Sequence, residues 1–125
     1  MTAARMLLLG SESWINDDMI AAGLSDASAK IPLDRRVVLV RNSYAPGAAK
    51  MAADVWAKWV QKYPGLFEGA VLIPPGGDIT DNIDIAVLFF DGPLSTLAEH
   101  EVGLVKAAGV EIMDYSVSET TEAAA

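Results

Sequence analysis

Val37-Val38-Leu39-Val40-Arg41-Asn42-Ser43-Tyr44-Ala45-Pro46-Gly47-Ala48-Ala49-Lys50-Met51 changes its period half-way along, and that change decides the fold. Residues 37–40 are aliphatic without a break, as a strand covered on both faces requires. Pro46 and Gly47 stop the strand and permit unusual backbone angles. From Ala48 a helical period takes over. Ala48, Ala52, Val55, Trp56, Trp59 and Tyr63 share one face, and Lys50, Asp54, Lys58 and Lys62 share the other. A strand that runs through a small-residue loop into a helix aims the helix's first N–H groups at the loop, which makes an anion site, commonly for a phosphate.

The rest of the chain is read outward from this unit. Arg5–Leu9 is expected to be a first buried strand closed by Gly10-Ser11, and Asn16 an N-cap with Asp17 and Asp18 at the positive helix end. Ile15 and Ile20 are spaced for a hydrophobic staple across that cap, and Gly23 and Ser25 weaken or end this first helix. Pro64-Gly65 stops the second helix. Gly69–Ile73 is expected to be a third strand and Ile83–Phe90 a central fourth, joined by a connection too short for a helix. Leu94, Leu97, Ala98, Val102, Val105 and Ala108 give a third helix its apolar stripe, and Val110–Tyr115 is expected to be an edge strand. Alternating strands and helices imply a doubly wound, mostly parallel α/β sheet of about five strands and three helices in one domain over 1–115. Residues 116–125 are expected to be a disordered tail. In such sheets ligands bind beyond the C-terminal ends of the strands, at the switch point.

Composition narrows the function. The net charge is −8, which opposes a nucleic-acid surface. Residues 1–62 hold 8 basic and 6 acidic side chains, whereas 63–125 hold 1 and 11. The cations therefore lie on the half that carries the strand-loop-helix unit, where an anionic ligand would want them, or the acidic half simply keeps the protein in solution. No cysteine is present, which excludes disulfides, thiolate metal sites and cysteine nucleophiles, and fits a cytoplasmic protein. No apolar run approaches the roughly 18 residues of a membrane span, and the start lacks a signal pattern.

Four short pieces resemble the SLOG superfamily, Rossmann-like proteins with nucleotide ligands, and within it the small YpsA-related bacterial and phage members. They are Leu8-Leu9-Gly10-Ser11-Glu12-Ser13-Trp14, Gly47-Ala48-Ala49-Lys50-Met51-Ala52, Ile83–Phe90, and Asp91-Gly92-Pro93-Leu94-Ser95-Thr96-Leu97-Ala98-Glu99. The last is similar to the PGGxGTxxE loop of Lonely Guy phosphoribohydrolases, keeping Gly92, Thr96 and Glu99. The chain departs from the family at Glu12 (arginine), at Ser43-Tyr44 (a glycine pair) and at Ala49 (aspartate). The resemblance implies a ligand site at Gly10, Ser11, Arg41, Ser43, Tyr44, Gly47, Gly92 and Thr96, with Glu99 as the sole match to a catalytic position.

Each of these has a plainer reading. Thr96 and Glu99 are spaced as a capping box, and Tyr44 fills space that a glycine pair leaves to a phosphate. His100 reads as a surface residue, and Asp78, Asp81, Asn82 and Asp84 as a solvated connection rather than a metal site. Trp56 and Trp59 read as core, or as the anchor of a homodimer. Three functions follow as expectations. The first is non-catalytic binding of a nucleotide or nucleotide-derived small molecule, with no cofactor, no metal, no nucleic acid and no membrane. The second is a module with a closed pocket that docks a host or self protein, as a phage-encoded member would. The third is hydrolysis of nucleoside monophosphates through Glu99.

Overall fold

The computed structural model describes residues 3–32, 34–41, 47–73, 77–80 and 82–117. Five strands and three helices follow in the order β1 (Ala4–Gly10), α1 (Asp17–Ser28), β2 (Val37–Arg41), α2 (Ala48–Lys62), β3 (Phe67–Leu72), β4 (Ile85–Phe89), α3 (Thr96–Ala107) and β5 (Glu111–Asp114). All strand pairs are parallel, and the sheet order is β3-β2-β1-β4-β5. The fold is thus a Rossmann-like open α/β sheet. Its switch point lies between β1 and β4, where the chain, having built outward through β2 and β3, returns to the other side of β1.

The strand period of two divides the core cleanly. Met6, Leu8, Val37, Leu39, Val87 and Phe89 face α1 and α2. Leu7, Leu9, Val38, Val40, Ala86 and Leu88 face the opposite way, with Ala98, Val102 and Val105 of α3. Every residue of β4 is buried, as its unbroken apolar run requires. On the first face Phe89 forms an edge contact with Trp14 and a stack with Tyr115, both with ring centroids 5.5 Å apart.

Some expectations are corrected. The staple does not form: Asn16 caps α1 by accepting from the Met19 N–H at 3.0 Å, but Ile15 stays 86% exposed. Trp14 takes the inward place, with its Nε1 donating to the Asn16 carbonyl at 2.8 Å. The capping box does not form either. Ser95 is the N-cap of α3 and accepts from the Ala98 N–H at 3.1 Å, so the position opposite the cap is Ala98 and not Glu99. Leu97 and Ala108 leave the apolar stripe for solvent.

β3 begins two residues earlier than its own pattern implies. Phe67 packs edge-on against Trp56 at 5.0 Å, and Trp56 Nε1 donates to the Glu68 carbonyl at 2.7 Å. Past the end of β5 the chain remains tied to β4: Phe90 N–H donates to Ser116 Oγ, Val117 N–H to the Phe90 carbonyl, and Gly92 N–H to the Val117 carbonyl. The expected tail falls outside the described residues from 118 onward. Among the described residues, no helix is long and apolar enough to cross a membrane.

Candidate functional site

The ends of β1, β4 and α2 meet at Ser11. Its N–H donates to the Phe89 carbonyl at 2.9 Å, and its carbonyl accepts from the Ala48 N–H at 3.1 Å. Its hydroxyl accepts from the Asp91 N–H at 3.0 Å. Two glycines permit this convergence. A Cβ on Gly10 would strike the Ala48 Cβ and come within 2.7 Å of the Phe89 carbonyl oxygen. Gly47, at φ 86°, seats the start of α2 against the Ser11 and Glu12 carbonyls, where a Cβ would collide with both.

Above this junction, at the switch point, lies a cleft of about 550 Å³. Gly10, Ser11, Glu12 and Ser13 form one wall, Ala49 in the first turn of α2 an end, and Asp91, Ser95, Leu97 and Glu101 the other side. Ser13 Oγ donates to Asp91 Oδ1 at 2.6 Å, which fixes the carboxylate's orientation across the cleft. The position agrees with the rule that open α/β sheets bind ligands beyond their strand ends at the switch point.

The charge of the cleft is negative. Glu12, Asp91 and Glu101 line it, and no lysine or arginine does among the described residues. The cations of residues 1–62 do not line this cleft. Arg35 pairs with Asp84 at 3.3 Å and Arg36 with Glu68 at 3.7 Å, both at the opposite end of the strands. Lys50 is the cation nearest in sequence to the cleft wall, and it pairs with Asp54 at 3.0 Å. The first N–H of α2 is also taken, by the Ser11 carbonyl. What the cleft offers is hydroxyls and carboxylate acceptors, which suit a polyhydroxylated ligand, with a single helix start for one anionic group.

Of the residues expected in the site, Gly10 and Ser11 line the cleft, and Gly47 supports it from behind. Arg41 is half-buried at the end of β2 and is not in the lining. Gly92, at φ 93°, turns the chain toward Val117 rather than into the cleft. Thr96 and Glu99 are exposed on the first turn of α3 and lie outside the lining. Ser43 and Tyr44 fall outside the described residues. Ser13, Ser95, Leu97 and Glu101 enter unexpectedly. The signal for the last two was the i,i+4 spacing of Leu97 and Glu101, which shows only once Ser95 is known to start the helix.

Among the described residues, no metal site competes with this one. Asp78 accepts from the Thr80 hydroxyl at 2.7 Å and its N–H at 2.9 Å, bonds that hold its carboxyl below the usual range. Asp84 is engaged by Arg35 and the Arg5 N–H, and Asp81 lies outside the described residues. Among the described residues, no group of three His, Cys, Asp or Glu could hold a metal ion. Comparison with family models, curated proteins and solved structures yields no match.

Proposed function

We propose that this chain is a SLOG-type binding domain that holds a nucleotide-derived ligand in the Ser11–Asp91 cleft without turning it over. The observation that carries this reading is the place of the cleft: it opens at the switch point, with Asp91 on one wall and the start of α2 at one end. Asp91, oriented by Ser13, accepts hydrogen bonds from ribose hydroxyls, and Ser95 and Glu101 supply further polar contacts. An anionic group lies toward Ala49, at the positive end of α2. The three wall carboxylates repel a highly charged ligand, so the reading favours a nucleoside, a monophosphate or a dinucleotide-like diester over a triphosphate.

Isothermal titration with adenosine, AMP, ADP-ribose, NAD and ATP tests it. A saturable response from at least one of the first four is expected, with a dissociation constant of about 1–100 μM, tighter than for ATP and at least tenfold weaker in Asp91→Ala. A flat response across the panel from folded protein overturns it.

A second reading has one observation in its favour. Ile15 and Leu97, 86% and 67% exposed, are large apolar side chains on loop and helix starts at this same end of the sheet. They suit a protein contact at the rim. That reading expects a partner whose capture ignores nucleotides and fails with the double variant Ile15→Ser, Leu97→Ser.

A further inference from the structure

The large apolar surface that the Ser11–Asp91 cleft leaves in solvent lies on its α3 side. Of the exposed large apolar side chains among the described residues, Leu97 alone lines the cleft. It stands in the first turn of α3, 67% exposed, beside the buried Ala98. Pro93, exposed in the connection from β4 to α3, lines the cleft with it. Leu8 and Phe90 line it too, but both are already buried in the core. Across from Leu97 and Pro93 stand Ser11, Glu12 and Ser13.

A solvent-exposed leucine needs no explanation by itself. This one belongs to a concave site whose opposite wall is polar. Ligand sites join apolar surface to a few polar groups that fix orientation, and the two sides of this cleft divide those parts between them. The hydroxyls and carboxylates suit a sugar. Leu97 and Pro93 offer a sugar's hydroxyls no partner, and they gain only from a group with an apolar face.

We propose that Leu97 and Pro93 seat the ligand's base, one ring face lying on them while the ribose meets Asp91. This deepens the nucleotide reading and rests on it. The contact is non-directional and grows with the area covered. It therefore separates compounds that carry a base from those that carry the sugar alone. Ile15 provides the control, because it is 86% exposed at the same end of the sheet but does not line the cleft.

Isothermal titration of the parent, Leu97→Ser and Ile15→Ser tests it, each variant first checked as folded by circular dichroism. The ligands are adenosine, AMP, ADP-ribose and NAD, then methyl β-D-riboside and ribose 5-phosphate, which lack the base. Every base-bearing compound that binds the parent should bind Leu97→Ser about tenfold more weakly and Ile15→Ser as before. The two base-free compounds should bind the parent at least tenfold more weakly than the best base-bearing one, with no further loss in Leu97→Ser. Binding that Asp91→Ala weakens but Leu97→Ser leaves unchanged overturns the base seat and spares the nucleotide reading. Base-free compounds that bind as tightly as the others, or an equal loss in Ile15→Ser, also overturn the seat alone. A flat response to all four base-bearing compounds overturns the nucleotide reading, and the seat with it.

Discussion

The Ser11 hydroxyl accepts the Asp91 N–H at 3.0 Å, joining the end of β1 to the end of β4 across the switch point. Ser11→Ala deletes the acceptor and leaves the Asp91 N–H half-buried without its partner. The expected cost is about 1–2 kcal/mol, read by urea unfolding. Ligand affinity should fall as well, because the Asp91 carboxylate rides on that backbone. A variant as stable as the parent would show that the bond is incidental.

Gly47→Ala should be among the most damaging small changes. At φ 86° the new side chain is strained, and it meets backbone carbonyls that cannot swing aside. The strain and the clash together predict a loss of about 3 kcal/mol or more, measured by thermal or urea unfolding.

Gly23→Ala separates two opposing effects. Inside α1, alanine gains about 1 kcal/mol of helix propensity over glycine. The new Cβ, however, would lie 2.6 Å from Phe89 Cζ and 3.0 Å from a Tyr115 ring carbon. Phe89 is fully buried between Trp14 and Tyr115 and has no room to yield. Overpacking of this kind costs about 1–3 kcal/mol, so net destabilisation is expected, with the near-ultraviolet circular dichroism of the aromatic cluster altered.

Burial pushes the Tyr115 hydroxyl above its ordinary 10.0, and the charge of Asp26, whose Oδ2 lies 3.3 Å away, adds to the shift. The folded state thus holds this proton more tightly than the unfolded chain. The resulting stability is complete below pH 10.0 and is lost as pH rises from there through the raised folded value. Tyr115→Phe should flatten that part of the stability curve, and Asp26→Asn should reduce its slope. An unchanged alkaline limb in Tyr115→Phe would contradict the assignment.

Periodicity made the fold legible, and tertiary contacts set what it left out. The four aliphatic residues at 37–40 and the apolar run within Ile83–Phe90 mark covered strands, although β4 itself is only Ile85–Phe89 and Asp84 before it is exposed. The start of β3 escaped because it is fixed by Trp56 and Trp59 closing on Phe67, a contact that residues 67–68 do not announce. The α3 cap escaped because Ser95 and Thr96 are adjacent hydroxyls, and either can cap in isolation. Leu97 and Glu101 line the cleft and Glu99 does not.

The proposed place of the nucleotide-derived ligand is the Ser11–Asp91 cleft. Titrating ¹⁵N-labelled protein with adenosine, AMP, ADP-ribose and NAD in turn, and following the Ser13, Ala49 and Asp91 amides, is the sharpest check. With at least one of them these three amides should shift together and saturate, while Arg5 and Tyr63, at the other end of the strands, do not move. No shift at the three with any of the four ligands, or saturable shifts confined to the far end, would contradict a ligand site in this cleft.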